Sequence, residues 1–443
     1  MRIFLLLLLS VASAMARADG HALTLPVKAD KVHEGVATCA GSMCHGSVKQ
    51  YENTNILHNE YITWDRHDVH HRAYNKLFED DFVQITNKLG LKAPHEEPLC
   101  LNCHASNVPV DKRGRKFQMT DGIGCETCHG GSEQWLRSHT DKGATHAQNV
   151  ATGLYPTADI VSRARLCMSC HYGNRDQFVT HEIMGAGHPR ISFELDTFTE
   201  LQPKHFEQDA DYRERKTAYT NIKAWAVGQA IASESVLDMI LSERMQGHGL
   251  FPELSMFDCH SCHHPMSDKS WTPRRGTGLK PGDVPLNDAN MLMLRHVVTA
   301  LDKTRGWQFR KQARALQAAA ADSIGALREH ASGMRDTVSS LTELIVAHEF
   351  SATDVSNITR GLINEGIWEG YSDYVAAEQC VMALSVLVIS WDELNALDEA
   401  ARSKVRAEID RMYALVQDDE AYDPAAFSDS LRTMRQTLGL DQQ

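Results

Sequence analysis

Cys100-Leu-Asn-Cys103-His104 and Cys125-Glu-Thr-Cys128-His129 lie close together in the sequence and share one pattern, Cys-x-x-Cys-His. The pattern returns at Cys167-Met-Ser-Cys170-His171 and at Cys259-His-Ser-Cys262-His263. Two thiols at this spacing can add across the two vinyl groups of one porphyrin, and the adjacent imidazole can then bind the iron. Each copy therefore predicts one covalently attached c-type haem, with the histidine of the motif as an axial ligand.

A fifth copy is longer. Cys39-Ala-Gly-Ser-Met-Cys44-His45 has four residues between its thiols, and a disulfide is the alternative interpretation. We favour haem attachment because the histidine follows the second thiol as in the other motifs, and Gly41 would let the loop bulge away from the porphyrin. Ten of the eleven cysteines are then used, and five covalent haems c are predicted. The remaining Cys380 lies in an apolar helical run and is expected to be a buried, inert thiol.

The N-terminus indicates export. Arg2 precedes an apolar run over residues 3–11, and small residues follow at Ala14, Ala16 and Ala18. This pattern predicts a signal peptide over residues 1–18, cleaved after Ala18 or at one of the earlier alanines, and a periplasmic or secreted protein. An exported chain with a histidine directly after each cysteine pair also favours haem over zinc.

The composition restricts the possible partners. The formal net charge is −13, with 45 Lys and Arg against 58 Asp and Glu, so nucleic acid is not an expected partner. No stretch after the signal reaches the length of a membrane span, and residues 373–391 are predicted to form a buried helix. The expected partners are redox proteins, namely donor and acceptor cytochromes or a reductase; the sequence leaves the oligomeric state open.

The chain divides by composition, and the fold class is predicted to be mainly α. Residues 19–271 hold every haem motif and form a loop-rich domain whose core the porphyrins would supply. Two helices are predicted there, over 68–89 and 217–245. A Gly/Pro/basic linker follows at 272–287. Residues 288–443 have helical periodicity and predict an all-α domain of six or seven helices: 288–303, 309–330, 332–347, 353–366, 372–391, 396–416 and 425–438.

Three stretches carry a resemblance to a known family. They are Trp64-Asp-Arg-His-Asp-Val-His70-His-Arg-Ala73, Gly122-Ile-Gly-Cys125-Glu-Thr-Cys128-His129-Gly and His181-Glu-Ile-Met-Gly-Ala-Gly-His188-Pro-Arg. They resemble the cytochrome c-554 family, which is related in its haem packing to hydroxylamine oxidoreductase, over roughly residues 35 to 200. The resemblance implies that most irons bind two histidines and that the distal histidine comes from a different motif.

The resemblance also implies particular distal ligands. The His70 region would face the haem of His129, with His67 and His71 as competitors for that role. His139 would face the haem of His45. His181 and His188 would serve the haems of His171 or His104. The last motif has no counterpart in the family, so the distal ligand of the haem of His263 stays open, with His248 and His296 as candidates.

Two functions remain open from the sequence. The favoured one is electron transfer through the five haems, because haem motifs and surplus histidines are the cofactor signature of this chain. The alternative is an enzyme that reduces or oxidises a small nitrogen or sulfur compound at one open haem. The resemblance points to the haem of His104, which in this family can lack a strong distal ligand. The C-terminal helices could instead be a docking or dimerising module.

Overall fold

A computed structural model describes residues 24–440, except 53, 55, 247–251, 265–272, 369–370 and 395–396. The signal peptide predicted for residues 1–18 lies outside the described residues. In the described residues the chain is mainly α-helical, as predicted, and its extended pairing is limited to two isolated bridges, His33 with Arg113 and Phe257 with Leu286.

The helices before the linker are mostly short. The α-helices are α1 (Glu60–His67), α2 (Asp80–Leu89), α3 (Pro98–His104), α4 (Cys125–His129), α5 (His146–Ala151), α6 (Ile160–His171), α7 (His181–Ala186), α8 (Leu195–Leu201), α9 (Ala210–Arg215) and α10 (Asn221–Leu241). The 3-10 helices are Pro26–Lys28, Val36–Thr38, Val69–Arg72, Asn75–Phe78, Pro94–Glu96, Val110–Lys112, Met119–Asp121, Ser138–Thr140, Glu243–Gln246, Leu254–Met256 and Cys259–Ser261.

The helices after the linker are longer. They are α11 (Ala289–Leu301), α12 (Lys303–Asp322), α13 (Ile324–Ala347), α14 (Ala352–Trp368), α15 (Tyr374–Glu393), α16 (Glu399–Leu415) and α17 (Pro424–Thr437). The prediction of an all-helical C-terminal part is confirmed. The predicted break near residue 331 is wrong, because Ser323 is extended and its hydroxyl accepts from the Ala326 amide, which starts α13 eight residues earlier.

The prediction of one helix over residues 68–89 is also wrong for the first half of that range. The Asp68 carboxylate accepts the amide of His70, which starts a 3-10 turn in place of an α-helix. A second 3-10 turn follows, and an extended Glu79 precedes α2, which alone is α-helical. The helix predicted over 217–245 is present as α10, capped by the Thr220 hydroxyl.

The main hydrophobic core is continuous across the predicted linker. It runs from Ile160 on α6 to Leu440, and α10 packs against α11, α13 and α15. The division into two domains with a linker at 272–287 stays a prediction. Among the described residues of the earlier region, the buried apolar cluster has three members, Leu77, Leu101 and Ala105, and the other buried apolar residues lie outside it. This difference agrees with a region that needs a large apolar cofactor to complete its interior.

α15 is a core helix. Its length and apolar composition would suit a membrane span, but 78% of its apolar window is buried inside the fold. The prediction of a buried helix over residues 373–391 is confirmed. Cys380 on this helix is fully buried, and burial raises the pKa of its thiol to about 12, so the thiol stays protonated and inert as predicted.

Candidate haem sites

The Cys-x-x-Cys-His motifs lie at the ends of helices. α3 ends at His104, α4 ends at His129 and α6 ends at His171. The two thiols of a motif are three residues apart, so they share one face of the helix, and the histidine occupies the last turn. The fourth motif starts in the 3-10 turn Cys259–Ser261. Each motif therefore presents two thiols and an imidazole from one short segment.

The longer motif, residues 39–45, forms a closed turn. The amide of Cys44 donates to the carbonyl of Gly41 (2.8 Å). A Cβ on Gly46 would lie 2.0 Å from the Ala40 carbonyl oxygen, whereas a Cβ on Gly41 would make ordinary contacts. The glycine that this turn requires is therefore Gly46 and not Gly41, because only at Gly46 does the backbone approach too closely for a side chain.

Four motif histidines each face a second histidine at a similar distance. Two imidazoles that bind one metal from opposite sides, each at about 2 Å, have ring centres roughly 6 Å apart. The pairs and their ring-centre distances are His45 with His139 (6.3 Å), His171 with His70 (5.8 Å), His129 with His205 (6.3 Å) and His263 with His181 (6.1 Å). These distances fit two axial ligands on one haem iron.

Two of these pairs bear on the predicted distal ligands. The structure places His139 opposite His45, which is the arrangement that the family resemblance implied. It places His70 opposite His171 and not opposite His129, so that predicted pairing is corrected. Among the described residues, the competitor His71 packs its ring edge-on against Trp64, and its Nδ1 bonds the Asp68 carbonyl (2.6 Å).

His205 is the histidine that sequence reasoning missed. Its ring is perpendicular to that of His129 and lies 6.3 Å from it. It follows Pro203-Lys204 in a stretch without regular structure between α8 and α9, outside every motif. Only the folding of residues 202–206 against α4 brings it there, so the sequence held no local signal for this role.

His181 and the candidates for the last motif also differ from prediction. His181 faces His263 and not His171 or His104. His296 lies on α11 inside the C-terminal helices beside Glu365, so it is not the partner of His263. Burial lowers the pKa of His296 well below its usual value, which keeps this ring neutral. The other candidate, His248, lies outside the described residues.

His104 differs from the other motif histidines. In the described part of the chain, the ring that packs against it is Phe82, edge-on at 5.1 Å. The half-buried His188 is near enough to help burial lower the pKa of His104, and its Nδ1 is bonded to the Pro189 carbonyl (2.8 Å). His188 was predicted to serve the haem of His104 or of His171. The structure places it near His104, without the ring-to-ring contact that the four pairs have.

Hydrogen bonds orient several of these rings. Nδ1 of His45 is 3.0 Å from a Glu60 carboxylate oxygen, and Nδ1 of His70 is 2.7 Å from Asp68 Oδ1. Nδ1 of His139 is 3.3 Å from the Trp135 carbonyl. A partner at Nδ1 leaves Nε2 as the metal-binding nitrogen and fixes the plane of the ring.

The buried rings are neutral, as metal ligation requires. Burial lowers the pKa of His129 to about 3 and that of His171 to about 4. A neutral imidazole keeps a free lone pair for a metal ion, whereas a protonated one does not. Burial also lowers the pKa of His205, so the pair of α4 fits a haem iron in charge as well as in distance. In the pair of α6, the Asp68 carboxylate outweighs burial and raises the pKa of His70.

Thiols of different motifs meet in pairs. All eleven cysteines are free of disulfides. The Cys39 thiol hydrogen-bonds that of Cys125, and the Cys103 thiol hydrogen-bonds that of Cys170. The attachment points at residues 39–45 and 125–129 are therefore neighbours, and so are those at 100–104 and 167–171.

Glu126, inside the motif at residues 125–129, is a further positioning residue that the sequence did not reveal. It is 5% exposed, and its carboxylate accepts the amides of Glu34 (2.8 Å), Gly35 (2.7 Å) and Ser132 (2.8 Å). Three amide donors satisfy the charge without a cation. They also tie the motif to the segment that leads into the first motif.

Residues 38–130 match the family model of cytochrome c554 and c-prime. The matched segment contains the longer motif and the motifs of α3 and α4. The protein is a c-type cytochrome. Covalently bound haem is therefore its cofactor, and the matched part of this cytochrome resembles the c554 family. Searches among curated proteins and among solved structures found no match. Similarity to hydroxylamine oxidoreductase in haem packing stays a prediction.

Proposed function

We propose that this cytochrome is an exported electron-transfer protein that carries five covalent haems, bound through residues 39–45, 100–104, 125–129, 167–171 and 259–263. When bound, each haem supplies an iron that accepts and releases one electron. The proposal includes a periplasmic or secreted location, from the predicted signal at residues 1–18, and donor and acceptor proteins as partners.

The four facing histidine pairs carry this proposal. An iron with two imidazole ligands has no open position for a substrate, which suits electron transfer and not catalysis. The thiol contacts Cys39 to Cys125 and Cys103 to Cys170 add support, because they make the attachment points of two pairs of motifs neighbours. Four histidines outside the motifs, His70, His139, His181 and His205, would supply the distal ligands of four irons.

Mass spectrometry of the mature protein, made in a host that matures c-type cytochromes, tests the haem count. We expect the polypeptide beginning after Ala18 plus five haems. The double variant Cys39→Ala/Cys44→Ala should lose one haem, whereas Cys380→Ala should lose none. A wild-type mass with four haems would overturn the role of the longer motif.

Electron paramagnetic resonance of the ferric protein tests the ligand pairs. The rings of His45 and His139 are nearly parallel (12°), and those of His129 and His205 are nearly perpendicular (89°). Parallel and perpendicular imidazoles give different low-spin signals. We expect His139→Ala to remove the parallel-type signal and His205→Ala a perpendicular-type one, with His67→Ala as the unchanged control. A predominantly high-spin wild type would contradict electron transfer as the main function.

A second function is favoured by one observation, the packing of Phe82 against His104 where the other motif histidines face a histidine. We propose the haem of His104 as the position at which a small nitrogen or sulfur compound could bind. Carbon monoxide added to the reduced protein should perturb about one haem in five. A response that appears only in His188→Ala would assign His188 as the sixth ligand and remove this second function.

A further inference from the structure

A basic strip, residues 112–116, lies beside the segment that leads into the longer haem motif. Its sequence is Lys-Arg-Gly-Arg-Lys, which puts four basic side chains within five residues of a chain whose net charge is −13. The side chains of Arg115 and Lys116 are exposed, and that of Arg113 is half-buried. The strip therefore presents positive charge to the solvent on an acidic protein.

Backbone hydrogen bonds hold the basic strip against the segment before the motif. The His33 amide donates to the Lys112 carbonyl (2.8 Å), and the Gly114 amide donates to the His33 carbonyl (2.8 Å). The two segments run parallel where His33 meets Arg113. The basic side chains are therefore attached to a backbone whose position relative to the motif is fixed by the fold.

The end of the basic strip reaches the haem attachment point. A Cβ on Gly35 would lie 2.2 Å from the Lys116 carbonyl oxygen, so glycine is required where the two segments approach. The Lys116 Nζ lies 3.5 Å from the carbonyl oxygen of Ala37, two residues before Cys39. The hydrogen bond with Cys125 is the largest cause that lowers the pKa of the Cys39 thiol, and the charge of Lys116 contributes. The ammonium group therefore lies close to a cysteine that would attach the haem.

The acidic side chains near the basic strip act mainly on its first residue. Lys112 forms an ion pair with Asp30, and its Nζ lies 3.9 Å from an Asp111 carboxylate oxygen. Glu133 also stabilises the charged form of Lys112. The positive charge at this end of the strip is therefore compensated.

The other three basic residues have less compensation. Arg113, Arg115 and Lys116 make no ion pair within the part of the chain that the structure describes. Glu34 is a carboxylate beside them, since its side chain lies against the backbone of the strip. Three cations beside this carboxylate create a local positive potential, which attracts a negatively charged partner.

The longer motif itself lies at the surface. Its Cys44 is exposed, and the neighbouring Met43 and Val48 are 85% and 71% exposed. A cysteine at the surface would attach the haem where another protein can approach it. Exposed apolar side chains with charged residues nearby are typical of surfaces that contact another protein.

We propose that the basic strip is the docking surface for an acidic redox protein that exchanges electrons with the haem attached at residues 39–45. This inference rests on the electron-transfer function proposed above and adds the kind of partner and the place of contact. Opposite charges on the two surfaces accelerate and orient the encounter. Basic residues also attract an anionic lipid surface, but the position of the strip beside a haem attachment point favours a redox protein.

Stopped-flow kinetics of the reduced holoprotein test the docking surface, with oxidised plastocyanin as an acidic protein acceptor. The net charge of the cytochrome would repel this acceptor, so the second-order rate constant would then rise with ionic strength. Attraction by the basic strip predicts a rate constant that falls as salt screens the charges. Arg115→Glu/Lys116→Glu should lower the rate constant at low ionic strength at least about tenfold and reverse its salt dependence.

Lys404→Glu/Arg406→Glu is the matched control. It reverses the charge of one lysine and one arginine, both exposed on α16 among the C-terminal helices. The control should change the rate constant by less than about twofold, because charges remote from the contact are screened. Both double variants should keep the wild-type haem content and absorption spectrum, since all four side chains are exposed.

A cationic acceptor, the tris-phenanthroline complex of cobalt(III), separates this proposal from the proposed function. The variant at the strip should reduce it at least as fast as the wild type does. A wild type that reduces neither acceptor would overturn electron transfer itself. Reduction of both acceptors, with plastocyanin rate constants that rise with ionic strength or are equal in the two double variants, would overturn the docking surface alone. Binding to anionic lipid vesicles that Arg115→Glu/Lys116→Glu abolishes, with an unchanged plastocyanin rate, would assign the strip to a membrane and also overturn it.

Discussion

Replacing Gln379 with leucine is expected to destabilise the cytochrome and to alter the His171 site. Gln379 lies on α15 and is 3% exposed. Its amide nitrogen donates to the Phe193 carbonyl (3.2 Å), and its amide oxygen accepts from the Gln229 side chain (3.1 Å). The Phe193 ring stacks on His171, with ring centres 5.0 Å apart. The C-terminal helices thus support a haem-binding histidine through one buried amide.

The residue after His171 is tied to the same amides. The Tyr172 hydroxyl donates to Asn290 (2.9 Å), and the Asn290 amide donates to Gln229 (2.9 Å). Leucine at position 379 would leave the Phe193 carbonyl and the Gln229 amide without a buried partner, at about 1–3 kcal/mol each. We therefore expect the free energy of unfolding to fall by about 2–6 kcal/mol.

Denaturant unfolding of the holoprotein measures the loss, and the midpoint potentials of the haems report on the His171 site. Gln312→Leu is the matched control, because the Gln312 amide bonds Thr337 (3.0 Å) between α12 and α13, away from that site. The control should cost about 1 kcal/mol or less and shift no haem potential. Equal stability of the two variants with unchanged potentials would refute the reasoning and favour an independent C-terminal module.

Three further predictions concern the haem region and its surroundings. In haem-free protein, limited proteolysis should cut residues 24–150 first and spare α10 to α17, because the large apolar core begins at Ile160. Burial, reinforced by Glu194, raises the pKa of Asp196 to about 8, so the native state holds a proton that the unfolded state releases between about pH 4 and 8. Urea unfolding should show stability falling as the pH rises through this window, and Asp196→Asn should remove most of the decrease. Glu126→Gln should cost about 2–4 kcal/mol in thermal or urea unfolding, since its amide nitrogen cannot accept the Gly35 amide; an unchanged midpoint would contradict the role of this carboxylate.

The cysteines and the first axial histidine of each haem site could be predicted from the sequence. The second axial histidine could not. The two thiols and the histidine of a motif lie within five to seven consecutive residues, so one short segment brings them together and the motif is a local property. A distal histidine comes from a remote segment, and only the tertiary fold decides which motif it meets. His205 has no local signal at all, and His70 lies opposite His171 where the family resemblance implied His129.

Helix prediction failed for a related reason. Amphipathic segments such as α11 and α17 are predicted correctly because their apolar positions repeat with one period. The shorter segment over residues 68–79 has the same spacing, but the Asp68 carboxylate competes for the His70 amide and breaks the helix into 3-10 turns. The same carboxylate bonds the His70 ring, so the local interruption also orients a haem-site histidine.

The burial of α10 gives a physical reason for the presence of the haem-free helices beside the haem region. Sixteen of its 21 residues are buried, so the helix is covered on all sides. α6 and α8 cover it from the haem side, and α11, α13 and α15 cover it from the C-terminal side. α6 ends in a haem motif and packs against α10, so the position of the His171 turn depends on α10. The apolar side chains of α10 are in turn buried by the C-terminal helices. The linker in the sequence marks where the haem motifs end, while the apolar packing that holds the His171 turn continues beyond it.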